Sequence, residues 1–102
     1  LGAPVRQLGK NRWDISGLLR PDELAEATDI YLPEHEEVET IAGLVAHELE
    51  RIPAVGDSVR VAGVDREGEK TVVRLTVLKM DGRRVDRLKV NLSSREKNED
   101  VR

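Results

Sequence analysis

The sequence predicts an α+β domain: a mainly antiparallel sheet of about five strands with two helices on one face, in the order β-β-α-α-β-β-β. Three observations carry this. Apolar residues at helical spacing are confined to the middle of the chain, roughly 21–52. Period-two alternation occupies both flanks of that segment. Short hairpin signals join the alternating runs in pairs. The chain has 102 residues, enough for one core.

Val5-Arg6-Gln7-Leu8 and Arg12-Trp13-Asp14-Ile15 are the first two strands, joined by the three-residue loop Gly9-Lys10-Asn11. Trp13 and Ile15 share one face, Arg12 and Asp14 the other. Ser16-Gly17 breaks the second strand. Pro21 then suits the first helical position, and Asp22 and Glu23 place negative charge in the first turn. A short helix over about 21–29 follows, with Leu24, Ala27, Thr28 and Tyr31 at helical spacing. Leu32-Pro33 ends it.

Thr40 is the N-cap of a second helix over about 40–50. Ile41, Leu44, Val45, Leu49 and Ile52 form its apolar stripe. Gly43 costs about 1 kcal/mol in a helix interior relative to Ala, which close packing against a neighbour would explain. Pro53-Ala54-Val55-Gly56-Asp57 is a turn. Beyond it, Val59 and Val61 alternate with Ser58 and Arg60, and Val73, Leu75 and Val77 alternate along 71–80. Asp81-Gly82 is a two-residue hairpin signal, and the return strand covers about 83–91. Val85 and Leu88 are an odd distance apart, which predicts a bulge or twist between them. Residues 1–4 are expected to be a linker, 5–92 the domain, and 93–102 a polar, disordered tail.

Composition excludes several functions. There is no Cys, hence no disulfide framework, zinc–thiolate site or cysteine nucleophile. Trp13 and Tyr31 are the only aromatics, too few for a base-stacking platform, so the core must be aliphatic. The net charge of −3 argues against nucleic acid as a partner. No apolar run approaches the roughly 20 residues of a membrane span, so no direct membrane insertion is expected. The first residue is Leu1 rather than Met, as expected of a piece of a longer protein.

Four features invite chemistry. Glu34, Glu36, Glu37 and Glu39, with His35 among them, offer carboxylates suited to weak Mg²⁺ or Ca²⁺ binding. The competing reading is a solvated acidic segment before a helix N-terminus, where negative charge is favourable. Gly56-Asp57-Ser58-Val59 resembles the nucleophile block of some esterases, but a serine nucleophile also needs a base, and the only histidines are His35 and His47. A turn leading into a strand explains the same residues without catalysis. Arg83, Arg84, Arg87 and Lys89 make the last strand basic, with Asp81 and Asp86 interleaved. Trp13 is read as a core anchor. There is no glycine-rich phosphate loop and no catalytic constellation, so the domain is expected not to be an enzyme.

One resemblance covers nearly the whole chain. Val38-Glu39-Thr40-Ile41-Ala42-Gly43-Leu44-Val45, followed by Leu49-Glu50-Arg51-Ile52-Pro53-Ala54-Val55-Gly56-Asp57-Ser58-Val59, resembles the central signature of the CorC/HlyC transporter-associated domain. Gly17 with Pro21-Asp22-Glu23-Leu24 and Leu32-Pro33 is similar to its upstream part. Met80-Asp81-Gly82-Arg83-Arg84-Val85 and Leu88-Lys89-Val90 are similar to its closing hairpin. Val38 and Ala42 depart from the pattern, which has an aromatic and a glycine there.

The resemblance implies a fold grouped with FAD-binding domains, and hence FAD as a cofactor inferred from fold. It implies a regulatory or interaction domain at the cytoplasmic side of the cell membrane. The parent would be a CBS-domain-containing membrane protein, hemolysin-like or linked with Mg²⁺ and Co²⁺ efflux, in which the domain modulates ion transport. The implied partners are the CBS domains and membrane domain of the same parent chain, with a homodimer as a further expectation. The alternative is a small-molecule sensor that binds FAD or an adenine nucleotide.

Overall fold

Val73, Leu75 and Val77 alternate with Arg74 and Thr76, and in the computed structural model all three apolar side chains are buried. That strand is the longest in the sheet. The structure describes residues 3–93, so Leu1, Gly2 and all but Ser93 of the expected tail lie outside the described residues. The elements are β1 (Val5–Gly9), β2 (Arg12–Ser16), α1 (Pro21–Thr28), α2 (Ile41–Leu49), β3 (Ser58–Val64), β4 (Lys70–Asp81) and β5 (Arg84–Leu92). This is the α+β order expected from the sequence.

All five strands form one antiparallel sheet in the order β1-β2-β5-β4-β3. β5 lies between β2 and β4, so the first hairpin and the last three strands are joined through Trp13 opposite Val90 and Ile15 opposite Leu88. One face of the sheet is apolar. Trp13, Ile15, Val73, Leu75, Val77, Val85, Leu88 and Val90 point from it into the core, where they meet Leu24 of α1 and Ile41, Leu44 and Val45 of α2. Ile30 and Leu32, from the segment between the helices, complete it. Each fully buried aliphatic side chain contributes roughly 1.5–3 kcal/mol.

The odd spacing of Val85 and Leu88 is resolved by paired irregularities. Val77 faces Leu88, Lys79 faces Arg87 and Met80 faces Val85. One residue is extra on β4 at Leu78 and one on β5 at Asp86, so the register recovers and both Val85 and Leu88 stay buried. A single uncompensated bulge would have turned one of them to solvent.

One expected stripe residue falls outside the core. Ile52 is 55% exposed. α2 ends at Leu49, and Glu50 takes a left-handed conformation with φ 59°, so the chain leaves the helical period before Ile52 is reached. The helix is shorter than its apolar pattern.

Candidate interaction surfaces

The acidic segment is held as a strap beside α2. Tyr31 exchanges two backbone hydrogen bonds with Val64, both 2.9 Å, which anchors its start to the edge strand β3. Leu32 is buried and Pro33 follows. His35 to Val38 then makes a tight turn with Glu36 and Glu37 at its tip. Thr40 ends the strap and caps α2, its Oγ1 accepting from the Gly43 N–H at 3.0 Å. The rings of His35 and His47 lie 5.0 Å apart, and His47 Nε2 is 3.9 Å from Glu37 Oε1. Among the described residues, no group of three or more His, Asp or Glu side chains is placed to hold a metal ion. Glu34, Glu36, Glu37 and Glu39 are exposed and do not converge. A resident Mg²⁺ or Ca²⁺ does not fit this strap as it stands.

Gly56, Asp57 and Ser58 are a structural corner. The Asp57 carboxylate accepts from Arg51 Nη1 at 2.9 Å, Arg51 Nη2 at 3.1 Å and the Ala54 N–H at 2.8 Å. The Arg51 guanidinium, and then the Ala54 N–H, hold the Asp57 carboxyl below the usual carboxylate range, and Arg51 is raised in turn. Gly56 has φ 94° and donates to the Val77 carbonyl at 2.9 Å, tying the corner to β4. Pro53 is buried beneath it. Ser58 Oγ lies 3.3 Å from Thr76 Oγ1 on the face of the sheet away from the helices. The two histidines stand on the helical side, so the esterase-like reading has no base within the same face.

The other signature positions are also architectural. Trp13 is 7% exposed, in the core. Gly17 passes its backbone between β5 and α2, donating to Asp86 O and accepting from Ala42 N–H, both at 2.9 Å. Gly82 takes φ 64° in the turn after Asp81. Gly43 meets only the side chains of Thr40 and Val38 within reach of an added Cβ.

The two aromatics do not converge on one cleft: Trp13 lines one and Tyr31 another. The cleft against Trp13, of about 340 Å³, is lined by Asp29, Asp65 and Glu67 as well as Lys10 and Arg66. Three carboxylates oppose a phosphate there. Among the described residues, no helix is long and apolar enough to cross a membrane.

Charge is segregated across the sheet. On the helical side, Asp22, Glu23, Glu26, Asp29, the four strap glutamates, Glu48 and Glu50 are all exposed. The two arginines beside them, Arg20 and Arg51, bind Asp22 and Asp57. Among the described residues no helix covers the opposite face, and cross-strand register writes two rows over it. Arg60 faces Arg74, Arg74 faces Asn91, and Asn91 faces Arg12. In the second row Ser58, Thr76, Lys89, Asp14 and Arg6 follow one another. Asp14 is the one carboxylate in these rows. It is occupied by Arg6 at 3.2 Å and by Arg87 at 2.9 Å. Among the described residues, the side chains of Arg12, Arg60, Arg74 and Lys89 have no hydrogen-bond or ion-pair partner.

Of the basic strand seen in the sequence, this face uses Arg87 and Lys89. Arg83 lies in the hairpin turn and Arg84 pairs in register with Asp81. Arg12, Arg60, Arg74 and Asn91 were not among the sequence candidates. They come from four strands, and strand order brings them together. The period-two pattern put each on the outward face but not on one row.

Comparison with known proteins agrees with this architecture. Residues 6–94 match the family model CorC_HlyC, described as a transporter associated domain. A UPF0053 protein of Mycobacterium tuberculosis is 43% identical over 83 residues, which is 78% of this chain and 18% of that protein. The chain thus spans under a fifth of the length of the curated relative it matches. The crystal structure of the CorC_HlyC domain of a Corynebacterium glutamicum protein superposes with a TM-score of 0.77 at 22% identity, covering 89% of this chain and all of that one. A transporter associated domain from a Xylella fastidiosa hemolysin, solved in complex with Mg++ and Mn++, gives a TM-score of 0.66 at 25% identity over 90% of this chain and all of that one.

Proposed function

The chain belongs to the CorC_HlyC transporter-associated domain family, and from that premise we propose that it is a non-catalytic regulatory and interaction domain of a longer, CBS-domain-containing membrane ion transporter. The observation that carries the reading is the relation to the UPF0053 protein, in which the matching region is 18% of the whole. The segregation of acidic and basic faces supports it, because such a domain has two surfaces ready to meet different neighbours.

The proposed place is the cytoplasmic side of the membrane, with the CBS and membrane domains of the parent chain as partners. The regulatory role runs through contact surfaces. It does not call on a resident ion or flavin: among the described residues the strap carboxylates do not converge, and the two aromatics line separate clefts.

The test is made on the parent protein. Its coding sequence should place hydrophobic spans and a CBS pair upstream of Leu1. Removing the region 5–92 should change the dependence of Mg²⁺ or Co²⁺ flux on ion concentration while leaving membrane insertion intact. A parent without hydrophobic spans, or a flux curve unchanged by the deletion, would overturn the reading.

A further inference from the structure

We infer that the open face of the sheet is a docking site for an extended acidic polypeptide segment, held along the row Arg60–Arg74–Asn91–Arg12. The inference rests on the interaction-domain reading and names the chemistry of one partner.

The row is built, and among the described residues it has no carboxylate partner. Its four residues are consecutive cross-strand partners on β3, β4, β5 and β2. Three of them are exposed arginines with no anionic partner among the described residues. Directly opposed like charges weaken a sheet, so Arg60 opposite Arg74 is a local cost that a bound carboxylate would remove. Asn91 Oδ1, between Arg74 and Arg12, is buried and has no donor among the described residues. The neighbouring row adds Lys89 and the hydroxyls of Ser58 and Thr76.

The spacing suits an extended chain. Strands lie about 4.8 Å apart, so Arg60 to Arg12 covers roughly 14 Å. An extended segment rises about 3.4 Å per residue, so side chains at i, i+2 and i+4 cover nearly the same distance. Carboxylates at the outer two positions then reach Arg60 and Arg12. The middle one falls between Arg74 and Asn91. Arginine's planar fork favours such carboxylate pairing.

Two features favour a polypeptide over a phosphate surface. The sheet twists by roughly 20–25° per strand, so the ends of the row diverge, and a flat bilayer meets only part of it. A flexible chain follows the twist. The face also carries the Asp14 carboxylate, which already binds Arg6 and Arg87, so those two cations are not open to a phosphate.

The probe is a fluorescein-labelled peptide of four Glu-Ser repeats, titrated with the 102-residue chain in low salt, about 50 mM, and read by anisotropy. Binding should weaken about tenfold in R60Q/R74Q, which loses two charge-assisted contacts. R83Q, a turn arginine off the face, should bind as the parent does. Circular dichroism checks that each variant is folded. Absence of peptide binding, or equal loss in R83Q, overturns the proposal. So does tighter retention on phosphatidylserine vesicles or on a single-stranded oligonucleotide, which assigns the face to phosphate. Self-association abolished by R60Q/R74Q assigns it to a second copy and overturns it too. If the deletion alters flux but the peptide does not bind, the regulatory reading stands and the docking assignment falls; the converse result separates them the other way.

Discussion

Gly17 lies so close to Val85 that a β-carbon on it would come 2.2 Å from the Val85 carbonyl oxygen. The obstacle is backbone, so no side-chain rotation relieves it. Gly17 also holds β5 and α2 together through its N–H and carbonyl. Overpacking a tight site costs about 1–3 kcal/mol, and a backbone clash belongs at the upper end. Gly17→Ala is expected to lose about 3 kcal/mol, read as a lower urea midpoint with an unchanged slope. Gly43→Ala should be close to neutral. There a β-carbon meets Thr40 Oγ1 at 3.3 Å and Val38 at 3.7 Å, a crowding that offsets the gain in helix propensity.

Those two glycines show where the sequence was legible and where it was not. Gly43 breaks a helical pattern, so it draws attention as a packing glycine; its neighbours are the cap and strap of its own helix. Gly17 sits in a Ser-Gly break that reads as an ordinary strand end. Its tight contact is with Val85, 68 positions along the chain and beyond any local pattern. The same distinction applies to the sheet. Alternation placed Arg12, Arg60 and Arg74 outward, and the Asp81-Gly82 turn brought β4 to β5. Only the placement of β5 between β2 and β4 aligns Arg12 with Arg74 across Asn91. Local chemistry gave the elements; the row required the strand order.

Thr40 does two tasks at one point in the chain, ending the acidic strap and capping α2 through Gly43 N–H. Losing an N-cap hydroxyl costs about 1 kcal/mol. Thr40→Ala is expected to destabilise the domain by that amount, and Thr40→Ser to restore most of it. Thermal denaturation of the three proteins checks this. Equal melting temperatures would show that the cap contributes nothing measurable.

Asp57 predicts a pH dependence with a definite sign. Its carboxyl is held below the ordinary value of 3.8, first by the Arg51 guanidinium and then by the Ala54 N–H. A depressed folded pKa means that the charged form is favoured by folding. The contribution is therefore fully present above the ordinary carboxylate range and is lost as pH falls through the depressed value. Asp57→Asn should be less stable than the parent near pH 7, and the gap should close as pH falls through the depressed value, below the ordinary carboxylate range. Urea midpoints of both proteins at several pH values measure it. A gap that stays constant down to acid would mean that packing, not charge, makes the corner.

Arg60 and Arg74 face each other directly on adjacent strands, with no carboxylate between them among the described residues. Opposed like charges are unfavourable by about 0.2–1 kcal/mol relative to a neutral pair. Threonine favours strands and carries no charge. Arg74→Thr should therefore raise stability by about 0.5 kcal/mol at low ionic strength. The gain should shrink as salt screens the repulsion in the parent. Arg60→Glu should stabilise as well, by turning the repulsion into a cross-strand pair, and its effect should largely vanish when Arg74 is already Thr. A double-mutant cycle by urea denaturation, at low and high salt, gives the coupling directly. Coupling near zero at low salt would show that the two guanidiniums avoid each other by splaying apart. Strong coupling would show that the free domain carries a repulsion at the row where a carboxylate is expected to bind, so a substitution that stabilises the fold is also one that weakens docking.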